Sequence, residues 1–159
     1  MCFGILKIKK KFLFQVDQYN LNRFIEAQMV TYEGAMLELA RGRKESHWIW
    51  YIFPQIAGLG RSETTKLYSI KSLEEALAYL EHPLLGQRLI EACEILLSLR
   101  DASIDEVMGF PDDLKLLSSM TLFEYVSSQN SIFSKVLNIY YEDERDKVSL
   151  EIIKRMIAK

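Results

Sequence analysis

Apolar positions recur at three- and four-residue spacing along most of the chain, as they do in helices that each turn one stripe inward. From Asn20 to Ala40 the stripe is Leu21, Phe24, Ile25, Tyr32, Met36 and Leu37, and Gly42 follows where a helix end needs a positive φ. Ser72-Leu-Glu-Glu75 has capping-box spacing and opens a helix through Leu73, Ala76, Leu77 and Leu80. The next begins at Pro83, a first-turn proline, and runs through Leu85, Leu89, Ala92, Ile95, Leu96 and Leu99. Ser103-Ile-Asp-Glu106 repeats the capping pattern, and Gly109 ends that short helix. Pro111 with Asp112 and Asp113 suits the positive end of another. Two further helices are expected, from Ser131 to Tyr141 and from Asp146 to Ala158, the last with Val148, Ile152, Ile153 and Met156 on one side.

One stretch escapes periodicity. His47 to Phe53, HWIWYIF, is rich in β-forming residues and apolar on every side. A strand needs partners, and the chain offers no Asn-Gly hairpin, no alternating pair and no repeat. A short central helix stopped by Pro54 is therefore expected. The fold class is all-α: a compact single-domain multi-helix bundle with short connections over residues 17–159, preceded by a basic and apolar arm over residues 1–16.

Composition narrows the function. A formal charge of −2 and a pI near 5.8 disfavour nucleic acid as a partner, because a dedicated binder needs a basic face. The lysines Lys7, Lys9, Lys10 and Lys11 interrupt the apolar N-terminal stretch, so it is not patterned as a secretory signal, and no run reaches the length of a membrane span. Cys2 and Cys93 form neither a disulfide framework nor a zinc spacing, which suits a cytoplasmic protein. His47 and His82 have no acid at ligand spacing, so no metal site is expected, and no cofactor either.

Three blocks carry a resemblance: RKESHWIWYIFPQIAGLGRS from Arg43, YSIKSLEEALAYLEHPLLGQRL from Tyr68, and FPDDLKLLSSMTLF from Phe110. They resemble the signature blocks of domain-of-unknown-function family 1810, small and mostly bacterial proteins, over roughly Tyr19 to Tyr141. The resemblance implies an all-α fold and supplies no reaction. The extension MCFGILKIKKK departs from it. Members are sometimes labelled calpastatin-like, a label that fits poorly here: such inhibitory segments are disordered, whereas this chain is aromatic-rich and patterned for burial.

Two segments hold the candidate chemistry. If Ser46 caps the central helix, His47 and Tyr51 lie one turn apart while Trp48, Ile49 and Ile52 face inward. Gln55 then begins a loop in which Gly58, Gly60, Arg61 and Ser62 can offer backbone N–H groups and a positive charge to an anion. The plain alternative is a tight turn with a solvated arginine, since a lone Gly-x-Gly matches neither the dinucleotide fingerprint nor the phosphate loop. His47 titrates near neutrality and is a candidate acid or base; His82 most simply caps the helix after Pro83. In the second segment, Asp112, Lys115 and Ser119 fall within about 60° on a helix, apart from the stripe of Leu116, Met120 and Phe123. Ser118, Ser119 and Thr121 weaken an otherwise apolar helix, either by bonding backbone in a close crossing or by facing a polar cavity. No nucleophile-elbow motif supports Ser119 as a hydrolase serine.

The expectation that joins these segments is one polar pocket for a small anionic, nucleotide-like ligand. Arg43, Lys44, Arg61 and Lys115 would supply charge, Trp50 or Tyr51 a flat wall, and Gln55 a hydrogen-bonding edge. Were it an enzyme, His47 or Asp112 would carry the proton in a hydrolysis or transfer. Two rivals stand beside it: a non-catalytic interaction or scaffold module, and nucleic-acid binding through the basic arm with Arg41, Arg43 and Lys44.

Overall fold

Residues 16–159, the part of the chain described by the computed structural model, form nine helices. In order they are α1 (Asn22–Ala40), α2 (Ile49–Ile52), α3 (Glu63–Tyr68), α4 (Leu73–Glu81), α5 (Leu85–Ser98), α6 (Ile104–Met108), α7 (Asp112–Val126), α8 (Ile132–Tyr141) and α9 (Lys147–Ile157). Among these residues the β-type pairing is an isolated parallel bridge between Ile56 and Ile70. No helix of the described residues is long and apolar enough to cross a membrane. The expected arm lies outside the described residues except for Val16.

Local chemistry sets most of the boundaries. Ser62, Ser72, Ser131 and Asp146 each accept the amide of the residue three ahead, satisfying a donor that has no intrahelical partner. At the end of α1, Gly42 takes φ +77° and donates to Leu39 O, while Arg43 N reaches back to Glu38 O. That pair of bonds is a Schellman motif, and a side chain at the left-handed position would strain it. His82 caps α5 through its ring: Nδ1 accepts from Leu84 N at 3.1 Å and Leu85 N at 3.2 Å. Burial lowers the pKa of this imidazole, in keeping with its work as an acceptor.

Some expectations fail. Ser103 makes no side-chain cap bond, and its carbonyl receives Val107 N instead. Leu37 and Val148 are exposed rather than inward. The buried face of α1 is Phe24, Gln28, Ala35, Glu38 and Leu39, two of them polar, so counting apolar residues alone draws the stripe slightly off its true axis.

α5 and α7 form the centre, α5 packing on α1, α4 and α8, and α7 on α4, α8 and α9. A line of rings crosses this core: Phe24 meets Tyr79 edge-on at 5.0 Å, Tyr79 meets Phe123 at 5.5 Å, and Phe123 meets Phe133 at 5.7 Å. It joins α1, α4, α7 and α8, each contact contributing about 0.5–1.5 kcal/mol beyond burial. Gly86 serves packing, not bending: a Cβ there would stand 1.9 Å from the carbonyl oxygen of Leu80, so α5 can pass α4 only without one.

Arg23 ties the first half together. Its guanidinium donates to the carbonyls of Tyr19, Asn20, Leu67 and Ser69 at 2.7–3.0 Å and to Glu75 Oε1 at 3.1 Å. Glu75, itself buried, also accepts Lys71 N at 2.9 Å, a displaced version of the capping box expected at Ser72. Removing one member of a buried pair strands the other charge. Arg23→Met is expected to lower unfolding free energy by about 3–5 kcal/mol; a loss under about 1 kcal/mol by urea titration would show that Glu75 finds solvent or another partner.

Candidate functional site

The site is assembled by a buried acid near the end of α1. After the Gly42 turn the chain doubles back, and Glu38 recaptures it. Oε1 accepts Ser46 N at 2.8 Å and Ser46 Oγ at 2.7 Å, and Oε2 accepts the Trp48 indole N–H. Burial works to raise the pKa of this carboxyl, yet the hydrogen bonds from Trp48, Ser46 and the Ser46 and Glu45 amides prevail and hold it below the ordinary carboxylate range. Ser46 therefore does not cap α2 as expected; Trp48 stands at that boundary, and the serine's hydroxyl serves Glu38. Lys44 N donates to Val107 O at 2.7 Å, which adds α6 to the junction.

With the loop held, Lys44 Nζ comes 2.7 Å from Asp112 Oδ2, at the first position of α7. The same ammonium lies 4.8 Å from the centre of the Trp48 ring and donates to the Ser46 carbonyl. On the other side, Lys115 Nζ is 3.2 Å from Asp112 Oδ1 and 5.0 Å from the Trp50 ring. Two cations thus share one carboxylate, each with an indole face beneath it, and the trio carries a net charge of about +1. Lys44 is the deeper cation, with 5% of its side chain exposed.

Three buried polar side-chain atoms of the described residues have no hydrogen-bond partner: Trp50 Nε1, Asp113 Oδ1 and Ser119 Oγ. Ser119 follows Asp112 and Lys115 along one face of α7. The hydroxyl question raised by this helix has a divided answer. Ser118 donates to Leu114 O at 3.2 Å and Thr121 to Leu117 O at 2.8 Å, and Thr121 Oγ1 also receives Asp146 N from the start of α9. Those two hydroxyls are satisfied by carbonyls of their own helix; that of Ser119 is not.

The junction thus gathers Lys44, Trp50, Asp112 and Lys115 from the expected set. Ser119 shares the α7 face of Asp112 and Lys115; no side-chain hydrogen bond, ion pair or ring contact among the described residues links the remaining ones to the junction. His47 is exposed, and its carbonyl receives Tyr51 OH at 3.4 Å. Tyr51 stacks edge-on with Tyr68 at 5.2 Å, turned toward α3. Gln55 offers its carbonyl to Ile70 N. Gly58, at φ +105°, faces Ile152 of α9; Gly60 and Arg61 are exposed, and Ser62 is committed to capping α3. Arg43 is exposed beside Lys44. Two cavities of the described residues lie elsewhere: about 460 Å³ beside Asp17, Tyr19, Asn22 and His82, and about 790 Å³ between α5 and α8. Glu38 was missed by sequence reading. Its one signal is its place beside Leu39 and three residues after Ala35, on the inward face of α1, where a carboxylate must find donors.

Comparison with known proteins bears on the fold. A family model described as Protein of unknown function (DUF1810) matches residues 18–153. The chain belongs to this family. Its fold is similar to that of the conserved hypothetical protein Rv1873 from Mycobacterium tuberculosis, a crystal structure, with a TM-score of 0.85 and 44% sequence identity over 87% of this chain and 99% of that one. No curated protein matches the sequence. The α1–α7 junction lies wholly within the DUF1810 match, while the last turn of α9 extends beyond it.

Because the native Glu38 carboxyl titrates below its unfolded counterpart, its stabilisation is complete above the ordinary carboxylate range and is lost as pH falls through the native value. Glu38→Gln keeps one acceptor and loses the charge. Urea unfolding should place the variant about 1–3 kcal/mol below the parent at pH 7, with the gap closing below about pH 4. A gap independent of pH would mean that the carboxylate charge contributes nothing.

Proposed function

We propose that the protein binds a small anionic, nucleotide-like ligand at the Lys44–Asp112–Lys115 junction. The observation that carries this reading is the convergence of two lysines from separate segments on one carboxylate, each over a tryptophan face. Asp112 is the resident counter-ion, and an incoming phosphate or carboxylate exchanges with it for the two ammonium groups. Lys44 is already positioned and largely desolvated, so less ordering remains to be done on binding. Trp50 presents an aromatic face, and its indole N–H and the Ser119 hydroxyl are donors still without partners. Cysteine usage, with Cys2 and Cys93 far apart, supports a cytoplasmic setting.

A second reading, an interaction module, draws on the exposed side chains of Met29, Val30 and Leu37, which share the outer side of α1. Asp112 separates the two. If the junction takes anions, Asp112→Asn removes the competitor and should tighten binding by about tenfold, while Lys115→Met should weaken it by a similar factor. Calorimetric titration with nucleoside triphosphates, sugar phosphates and dicarboxylates reads both variants. Silence across that panel, or affinities unmoved by either substitution, would remove the ligand reading and leave the module.

A further inference from the structure

The larger cavity is unconnected with that junction. It is an open cleft of about 790 Å³ between the end of α5 and the outer side of α8, lined by Leu97, Arg100, Asn130, Lys135, Asn138 and Ile139, with Ser134, Asp143 and Arg145 completing it. Its charges differ in kind. Arg145 is fully engaged: Nε and Nη2 grip Glu124 at 2.9 and 2.6 Å, and Nη1 holds Asp143 at 2.8 Å. Arg100 and Lys135, both exposed, form no ion pair among the described residues. On a chain of net charge −2, the cleft is therefore a local positive field with its own anionic partners already spent on Arg145.

The polar groups add a second feature. Asn130 and Asn138 are exposed, and their amides have no side-chain partner among the described residues. A carboxamide presents a donor and an acceptor side by side, the complement of a peptide group. Asn138 stands on the second half of α8 and Asn130 just before its Ser131 cap, so the two amides line the cleft from either end of the helix. An extended chain turns a peptide group to the same side every two residues, about 6.6 Å, so a strand-like segment lying along α8 can offer one to each asparagine. Leu97 and Ile139 supply an apolar floor for side chains that point inward.

We infer that this cleft docks an acidic peptide segment in extended conformation. The asparagines hold its backbone, and Arg100 and Lys135 hold its carboxylates. The cleft is open, and its two exposed cations, unpaired among the described residues, stand on separate elements, Arg100 past the end of α5 and Lys135 on α8, so a segment with several acids along its length can meet both.

The test uses a fluorescein-labelled ten-residue peptide of alternating glutamate and alanine, with anisotropy read on the full chain. The peptide should bind. Arg100→Glu with Lys135→Glu should weaken it at least tenfold, and Asn138→Ala several-fold. All three positions are exposed, and unchanged circular dichroism verifies that the variants fold. A matched peptide with proline at every alanine position keeps the charge but loses half its backbone donors, and should bind more weakly. Lys115→Met should leave the affinity unchanged, so failure here and failure of the junction reading are told apart. The inference falls if the peptide does not bind or the charge reversals do not matter. It also falls if the proline peptide binds equally, which describes a nonspecific polyanion patch, or if a single-stranded oligonucleotide binds more tightly with the same variant dependence.

Discussion

A carboxylate excluded from water must be met by donors, and the Glu38 side chain at the end of α1 meets them from the chain that has just turned away from it. The Schellman turn at Gly42 sends the backbone outward; Glu38 draws Ser46 and Trp48 back. Everything after depends on that return. Trp48 enters the core beside Phe53, Lys44 is left over the indole facing α7, and α2 starts in the register that carries Trp50 to Lys115. Without the carboxylate the segment would keep its apolar residues but lose the reason to fold back in this one way. A buried acid with satisfied hydrogen bonds is valuable here chiefly for uniqueness of arrangement.

The same logic recurs at Arg23 and Glu75 and at Arg145 and Glu124. In each case one arginine spans elements that hydrophobic contact alone would bring together loosely: the chain before α1, the end of α3 and the start of α4 in the first, α7 and the approach to α9 in the second. Planar, fork-shaped donors suit this work, since they meet a carboxylate and several carbonyls in one geometry. The bundle therefore has an aromatic interior and a set of polar clasps at its joints.

Which parts were readable in the sequence follows from the range of the forces involved. Caps are local, so Ser62, Ser72, Ser131, Asp146 and Gly42 announce themselves within three or four residues, and the all-α architecture follows from them with the apolar spacing. Pro54 likewise ends α2 as its chemistry requires. Ser103 carried the same local signal and did not use it, and Ser46 was claimed by an acid eight residues back, because tertiary partners outbid local ones. The candidate site divides along the same line. Asp112 and Lys115 lie on one helix face and pair there; Lys44 and Trp50 reach them through Glu38, a residue that no motif marked. Gln55 and Arg61 were grouped with them by nearness in sequence, yet Pro54 and the turn after it carry them off toward α3 and α9. Polar residues at inward positions, Gln28, Glu38, Glu75 and Ser119, escape any count of apolar side chains.

The bridge between Ile56 and Ile70 has a consequence for how the molecule tolerates change. Ala57 N and Ile70 N each donate across it, to Ile70 O and Gln55 O, so the chain leaves and re-enters the body at one fixed gate. Between the two lies α3, none of whose residues is buried. Length added near Arg61 falls on the exposed turn before α3, ahead of Leu67 and Ser69, which Arg23 holds, and of Tyr68, which packs on Tyr51; the entropic cost of a longer closed loop rises slowly with length. That outer bend, on the far side of α3 from the Arg23 clasp, is the natural seat for an inserted epitope or fluorophore.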